Sequence, residues 1–207
     1  VKDGEPLAND GKGLEPIGKT NSEFQGSFDG GGRLISSLEM YRPPQDEIGL
    51  FGRIGTSGDV ARLGVSVQIS DGSNGAGGDS SVGGLAGVNF GSIQEVYVQG
   101  LVIGTTYVGG VVGSNDGTIE NSYATASVKG DVVAGFAGQH TGDINNSYST
   151  GFVTPEGGKR ATYGGFIADF PAGMVSGTYW DTDLSGTSIT AGGEGKTTAE
   201  MKSMSTF

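Results

Sequence analysis

The sequence of 207 residues lacks cysteine altogether. Without cysteine, neither disulfides nor thiolate chemistry can contribute to the fold or to catalysis. Proline occurs only 6 times, and the 42 glycines follow no Gly-X-Y period, which excludes a collagen helix and a simple Gly/Pro linker. No apolar run reaches the roughly 18 residues that a membrane-spanning helix needs, so we expect no membrane insertion.

Positive charge is also scarce, with 12 Lys and Arg against 23 Asp and Glu and a net charge of −11. Binding to a nucleic acid requires clustered cations that displace the counterions of its phosphates. The sequence has no such cluster, so we expect no nucleic acid partner. Apolar residues make up only 34%, so small side chains and backbone pairing must carry much of the packing.

What the sequence does contain is an internal repeat of 25 to 26 residues. Three copies align without gaps, starting at Val82 (VGGLAGVNFGSIQEVYVQGLV), Val108 (VGGVVGSNDGTIENSYATASV) and Val133 (VAGFAGQHTGDINNSYSTGFV). Further copies start at Ile48 and Tyr163 with one or two extra residues. Short runs of Val, Ile, Tyr and Thr broken by Gly, Asn and Asp are typical of strands and turns. The pattern predicts an all-β fold, a right-handed parallel β-helix (solenoid) of about five to six coils.

We interpret residues 1–207 as one β-helix repeat domain and expect it to be a fragment of a larger protein. No signal peptide opens the sequence, which fits either a mature protein or an excised piece of a longer one. Its expected parts are an N-terminal coil or cap at 1–47, coils at 48–81, 82–107, 108–132, 133–162 and 163–190, and a C-terminal cap at 191–207. Thr197 and Glu200 fit a Thr-x-x-Glu capping box, which predicts a short helix that covers the open end of the solenoid.

Alternation with period two predicts which side chains face the interior. The second half of each copy places one small or β-branched face inside: Val96, Val98, Gly100 and Val102, then Ser122, Ala124, Ala126 and Val128, then Ser147, Ser149, Gly151 and Val153. The isoleucines that precede this face are out of phase with it (Ile93, Ile119 and Ile144). A bend must therefore fall near Glu95, Asn121 and Asn146, where asparagine suits a left-handed backbone.

The first half of each copy places a large apolar residue directly after a glycine: Leu85, Val111, Phe136 and Phe166. Glycine at that position permits a tight corner and a close approach of neighbouring coils. The segments GVNFGS, GSNDGT and GQHTGD are interpreted as the turns between the two halves.

Three features of the chain resemble the GLUG repeat family. They are FQGSFDGGGRLISSLEMYRPPQDEIGLFG at 24–52, the recurring VGGxxG…IxNSYAT units, and YWDTDLSG…GKTTAEMKSMSTF at 179–207. GLUG repeats occur in bacterial filamentous-haemagglutinin-like adhesins and in non-catalytic parts of surface IgA-type proteases. The resemblance extends over residues 13–207 and implies a secreted scaffold at the bacterial cell surface, with an adhesive or spacer role. Residues 168–177 lack the usual Asn-Gly turn, so we expect a distorted coil there.

One outward column of the predicted solenoid is aromatic and contains Tyr97, Tyr123, Tyr148 and Tyr179. It has two interpretations: a strip that binds a glycan or a cell-surface protein, or a ladder that stabilises the rod by stacking between coils. Thr125 and Thr150 lie beside the tyrosines and extend the candidate ligand-binding face. Asn121 and Asn146 fit an asparagine ladder at the bend.

The sequence offers one candidate metal site. Asp181, Asp183 and Ser185 resemble the start of a calcium loop, but its twelfth position is Gly192 instead of a bidentate glutamate, so an Asp-rich turn is the alternative. We expect no other cofactor. His140, the only histidine, is predicted to lie in a turn and has no second histidine or cysteine with which to bind zinc.

We expect a non-catalytic protein. The alternative is a polysaccharide-degrading β-helix enzyme, a lyase or hydrolase, since β-helices host such activities. That chemistry needs paired carboxylates, or carboxylates with Arg or Lys, that converge on one face. Here the acidic residues fall mostly in turns and share no column.

Overall fold

The computed structural model describes residues 8–43, 45–72, 80–156, 158, 161–169 and 172–203. These residues form a parallel β-solenoid of about five coils with only short helices. The predicted parallel solenoid is therefore confirmed. The repeat sequences explain it, because each short strand pairs in parallel with the equivalent strand of the next coil instead of with its own sequence neighbour.

The strands follow the repeats along the chain. The N-terminal segment contains a single turn α1 (Ala8–Gly11) and the long strand β1 (Ser27–Tyr41). The first coil has β2 (Glu47–Ile48), β3 (Phe51–Ile54) and β4 (Asp59–Ser70), and the second has β5 (Ser81–Gly83), β6 (Ala86–Asn89) and β7 (Ser92–Ile103).

In the later coils the third strand is divided into shorter pieces. The third coil has β8 (Tyr107–Gly109), β9 (Val112–Asn115), β10 (Thr118–Glu120), β11 (Tyr123–Ala124) and β12 (Ser127–Gly130). The fourth has β13 (Val132–Ala134), β14 (Ala137–His140), β15 (Asp143–Asn145), β16 (Tyr148–Ser149) and β17 (Val153–Pro155). The fifth has β18 (Thr162–Gly164), β19 (Ile167–Asp169), β20 (Met174–Ser176) and β21 (Tyr179–Asp181), followed by α2 (Thr182–Ser185), β22 (Glu194–Lys196) and α3 (Thr198–Met201).

The observed register is the one that the repeat alignment predicts. The first residues of the five copies pair in succession along one face: Ile48, Val82, Val108, Val133 and Tyr163. A one-residue slip would turn every interior side chain outward, so the apolar pattern fixes this register. The limits proposed for the individual segments, and the hand of the solenoid, stay predictions.

The predicted bend is also present in the backbone. Glu95, Asn121 and Asn146 have positive φ angles of 53°, 50° and 47°. Such angles are rare outside glycine, and asparagine adopts them more readily than most residues. Gly177 occupies the same position in the fifth coil with φ of 59°. The three bends at Glu95, Asn121 and Asn146 each bring the isoleucine before them and the interior residues after them to the same core.

Serine hydroxyls satisfy the backbone just inside this bend. Ser122 Oγ accepts from the Val96 amide at 3.1 Å and donates to the Glu120 carbonyl at 2.8 Å. Ser147 Oγ accepts from the Ser122 amide at 3.2 Å in the same way. A valine could not supply these bonds, which explains polar residues in an interior column.

The glycine before each large apolar residue has the predicted function. The four residues that follow these glycines are fully buried: Leu85, Val111, Phe136 and Phe166. A Cβ atom at Gly110 would lie 2.2 Å from the carbonyl oxygen of Gly135 in the next coil. One coil further along, a Cβ atom at Gly135 would lie 2.4 Å from the Gly165 carbonyl oxygen, and there Phe136 and Phe166 stack with ring centroids 4.6 Å apart.

Three expectations need correction or lie outside the described residues. Gly100 is exposed and has φ of 115°, so its missing side chain would point at the Val67 carbonyl of the adjacent coil instead of into the interior. The segments taken as turns begin with strands β6, β9 and β14. The distortion predicted for residues 168–177 falls partly on residues 170 and 171, which lie outside the described part, while Met174–Ser176 keeps the regular pairing.

Additional chain covers both ends of the solenoid. At the N-terminal end, Gly13 bridges Met40 in antiparallel fashion, and the Arg42 guanidinium donates to the Gly13 carbonyl at 2.8 Å. At the C-terminal end, β22 pairs with β21, and Thr197 and Glu200 form the predicted capping box at the start of α3. Paired or covered edges leave fewer backbone groups open to association with other chains.

Among the described residues, no helix has both the length and the apolar composition to cross a membrane.

Candidate functional site

The register brings the four predicted tyrosines into one column. Tyr97 pairs with Tyr123, Tyr123 with Tyr148, and Tyr148 with Tyr179. Each follows the bend by two residues, which explains why all four point the same way. Their side chains are half-buried.

The first three rings are stacked face to face. The Tyr97 and Tyr123 centroids are 5.3 Å apart with an interplanar angle of 8°, and those of Tyr123 and Tyr148 are 4.9 Å apart at 1°. Gly64 makes room at the start of the stack, since a Cβ there would lie 2.3 Å from Cζ of Tyr97. Stacked aromatic pairs contribute about 0.5–1.5 kcal/mol each beyond their area. The geometry is that of the stabilising ladder.

Tyr179 at the far end of the column has a different neighbour. The Lys196 ammonium lies 5.8 Å from the centroid of the Tyr179 ring and 2.6 Å from Glu194 Oε1. A cation over a tyrosine face is attracted by the ring electrons, modestly at an exposed site. The C-terminal cap therefore contacts the tyrosine column directly.

Burial raises the pKa of Tyr148 above its ordinary value of 10.0, and Tyr123 adds to the effect. The Tyr148 hydroxyl is therefore neutral at physiological pH and can donate a hydrogen bond.

The predicted polar neighbours of the tyrosines are only partly together. Asn146 Nδ2 donates to Asn121 Oδ1 at 3.4 Å, so the asparagine column at the bend forms a long ladder bond. Thr125 is exposed, whereas Thr150 is half-buried and lines a cavity near the C-terminal cap. Whether the threonines and tyrosines bind a ligand stays a prediction.

The candidate calcium ligands lie at the start of α2. Asp181 caps this helix, accepting from the amides of Asp183 and Leu184 at 3.0 Å each. Asp183 accepts from the Thr198 amide at 3.0 Å, and Ser185 Oγ donates to the Thr187 carbonyl at 3.2 Å. Within the described ranges, no group of three or more His, Cys, Asp or Glu side chains is arranged to hold a metal. Asp181 thus forms the helix cap that an Asp-rich turn provides, and calcium binding by this segment stays a prediction.

Two cavities flank the end of the tyrosine column. The first, of about 540 Å³, is lined by Tyr148 and Thr150 together with Asp181 and residues of α2 and α3. The second, of about 380 Å³, lies on the bend side and is lined by Asn121, Asn146, Ser147, Tyr148, Gly177 and Tyr179. Sequence reasoning found the residues on the coils but missed those of the cap, because nothing in the repeat pattern places the cap beside the column.

His140 has a different position from the predicted turn. It is fully buried at the end of β14 and continues an interior polar column. Asn89 Nδ2 donates to Asn115 Oδ1 at 2.7 Å, and Asn115 Nδ2 lies 3.2 Å from His140 Nδ1. His140 Nε2 lies 3.3 Å from the Met174 carbonyl. These partners assign the neutral tautomer, with Nδ1 accepting from the asparagine and Nε2–H donating to the carbonyl.

Stability should therefore fall in mild acid. Burial lowers the pKa of His140 below its ordinary value of 6.5, although the Met174 carbonyl and the nearby Asp143 and Asp116 oppose the shift. Because the unfolded chain then binds the proton more tightly, the free energy of unfolding decreases as pH falls below about 6.5, by at most about 1.4 kcal/mol per pH unit. Urea unfolding between pH 7.5 and pH 5.5 measures this.

The matched variant is His140→Asn, because asparagine occupies the two preceding positions of the column, Asn89 and Asn115. We expect this variant to unfold with a nearly constant free energy over the same pH range. A wild-type curve that is equally flat would contradict the buried neutral histidine.

Residues 104–129 match the GLUG motif, which confirms the resemblance for the third coil. The chain is 38% identical over 97 residues to halomucin of Haloquadratum walsbyi, and this match covers 46% of the chain and 1% of that protein. It is 37% identical over 89 residues to a putative Gly-rich membrane protein of Evansella cellulosilytica, covering 43% of the chain and 10% of that protein. No solved structure matches the chain significantly.

Proposed function

We propose that this chain, a parallel β-solenoid with a GLUG motif, is a non-catalytic adhesin or spacer module of a longer, secreted cell-surface protein. The observation that carries the proposal is the face-to-face tyrosine column, with ring spacings of 5.3 and 4.9 Å. A stack of this kind ties successive coils together along the axis of the rod, which is the property that a spacer requires.

The stack also bears on the choice between ladder and recognition strip. A sugar ring stacks on an aromatic face, and both faces of Tyr123 are covered by Tyr97 and Tyr148. The covered rings in the middle of the column therefore favour the ladder interpretation. A ligand would find a more open surface at the end of the column, beside the cap.

A surface location is supported by the relatives. One is named halomucin and the other a Gly-rich membrane protein, and the chain matches only 1% and 10% of their lengths. Repeat modules of this size typically act as parts of longer arrays. The net charge of −11 also disfavours polyanionic partners.

The best candidate for a catalytic site is a depression of about 480 Å³ on the turn side of the coils. Asp59, Asp116 and Asp143 are among its lining residues. Asp116 accepts a hydrogen bond from the Thr141 hydroxyl and Asp59 accepts one from the Ser27 hydroxyl at 3.3 Å, so two of the three carboxylates are already engaged. Among the described residues that line the depression there is no Arg or Lys to assist a lyase or hydrolase.

Incubation with neutral and acidic polysaccharides should therefore release no new reducing ends and no unsaturated ends, because the described residues around the depression give its carboxylates no Arg or Lys to work with. The purified chain is compared with a sample lacking protein over the same period. Product that appears with the wild type and disappears in Asp116→Asn or Asp143→Asn would overturn the non-catalytic proposal.

A further inference from the structure

The cavity of about 540 Å³ lies where the tyrosine column meets the C-terminal cap. Its coil side is formed by Tyr148, Thr150 and Asp181, and its cap side by Leu184 of α2 and Met201 of α3. The volume is within the usual range of small-molecule sites, roughly 300–1,000 Å³. The regular coils and the cap therefore meet around a space that can hold a ligand.

The walls of the cavity are mainly apolar. The Leu184 side chain is 52% exposed although it lies on a helix of four residues that packs against the solenoid. Met201 and the half-buried Tyr148 ring face the same space. An aromatic ring with an aliphatic side chain beside it covers the C–H face of a flat, partly apolar ligand.

The floor supplies a buried acceptor. Asp181 is 1% exposed, and its Oδ1 accepts from two backbone amides and from the Thr198 hydroxyl. Among the described residues, the Thr198 hydroxyl is the one donor to its Oδ2, at 2.7 Å. A carboxylate oxygen has two lone-pair sites, so Oδ2 retains one for a further donor. Thr150 and Thr198 add hydroxyl groups to the lining, and Lys202 adds an ammonium donor.

We propose that this cavity binds one or two pyranose units of a neutral glycan. A pyranose presents an apolar C–H face to Tyr148, Leu184 and Met201, and hydroxyl donors to Asp181 Oδ2. An apolar peptide side chain would fill the walls but would offer no donor to the second lone-pair site of Asp181 Oδ2. An acidic sugar could pair with Lys202 but would bring a second negative charge toward the buried Asp181, in a chain of net charge −11.

This binding site rests on the proposed function, since the module would attach to a glycan without cleaving it. The site uses different residues from the acidic depression at Asp116 and Asp143, so glycan binding and the absence of cleavage can be refuted independently. Binding and cleavage are accordingly read in the same samples.

Methionine methyl groups can report on binding to the cavity, because Met201 lines it whereas Met40 and Met174 lie elsewhere. With methyl-labelled methionine, disaccharides of glucose, galactose and mannose are titrated and the methyl resonances are followed by NMR. At least one disaccharide should shift the Met201 resonance in a saturable manner and leave those of Met40 and Met174 in place. Absence of any saturable Met201 shift with the whole panel would overturn the site.

Two variants separate the site from the fold. Leu184→Lys places a charge in the wall of the cavity at an exposed position and should weaken the apparent affinity at least tenfold. The matched control is Met174→Lys, another exposed apolar residue (64%) outside the cavity, which should bind as the wild type does. Equal affinity of Leu184→Lys and the wild type, with circular dichroism showing both folded, would overturn the proposal.

Two further outcomes are distinguished by the same samples. A larger Met201 shift with N-acetyl-leucinamide than with any disaccharide would overturn the saccharide assignment in favour of an apolar peptide. Release of monosaccharide during the titration would refute the non-catalytic function while leaving the binding site in place. A saturable Met201 shift without release of monosaccharide supports both the binding site and the non-catalytic function.

Discussion

Replacing Gly110 with alanine should destabilise the solenoid by at least about 4 kcal/mol, enough to prevent folding of a marginally stable chain. The new Cβ would lie 2.2 Å from the Gly135 carbonyl oxygen and 2.9 Å from Cβ of Ala124. The first atom belongs to the backbone of the next coil, so no side-chain rotation relieves the clash. The third and fourth coils must separate, which weakens bonds such as that from the Val111 amide to the Phe136 carbonyl, at 2.9 Å.

The matched control is Gly26→Ala. A Cβ atom at Gly26 would have its nearest neighbour in the Phe24 ring at 3.5 Å, an ordinary contact. We expect a change in the free energy of unfolding within about 1 kcal/mol of zero. Urea unfolding followed by circular dichroism measures both variants. A Gly110→Ala protein as stable as Gly26→Ala would show that the coils yield at this corner.

The solenoid itself could be predicted because its strands pair with their own repeats. When Val82, Val108 and Val133 are aligned in the sequence, the alignment is already the register of the structure. The bend followed from the same reasoning, since Ile119 and Ser122 can both face inward only if the backbone turns at Asn121. Alternation with period two then separated the interior valines from the tyrosines.

The ends of the rod could not be predicted in this way. The antiparallel bridge of Gly13 to Met40 and the Arg42 guanidinium that donates to the Gly13 carbonyl join residues about one coil apart without any repeated pattern. At the other end, the capping box was visible as Thr197 and Glu200, but not the direction in which its helix packs. The cavity beside Tyr148 depends on that packing.

Polarity misled the interpretation of His140. The alignment correctly placed it with Asn89 and Asn115, yet polar residues next to glycine suggested a turn. In the structure these side chains are buried because each bonds to the next, starting with Asn89 Nδ2 and Asn115 Oδ1 at 2.7 Å. Sequence alone does not distinguish such an interior ladder from a solvated turn, since both are satisfied by the same residue types.

Tyr123→Ala should lower the free energy of unfolding by about 2–4 kcal/mol. Its ring stacks on Tyr97 on one side and on Tyr148 on the other, so truncation removes two stacked contacts and leaves a gap in a half-buried column. Tyr97→Ala removes only one tyrosine contact and should cost roughly half as much. Tyr41→Ala is the control, because that side chain is 48% exposed and lies outside the column.

The same substitution decides between the two interpretations of the column. If the column is a ladder, Tyr123→Ala unfolds at lower urea concentration but keeps the glycan-array profile of the wild type, measured well below its melting temperature. If it is a recognition strip, array binding falls while stability changes little, because an exposed ring loses little burial on truncation. A double-mutant cycle of Tyr123→Ala with Tyr148→Ala isolates the stacking energy. We expect a coupling of about 0.5–1.5 kcal/mol, and a coupling near zero would refute the ladder even if each single variant is destabilised.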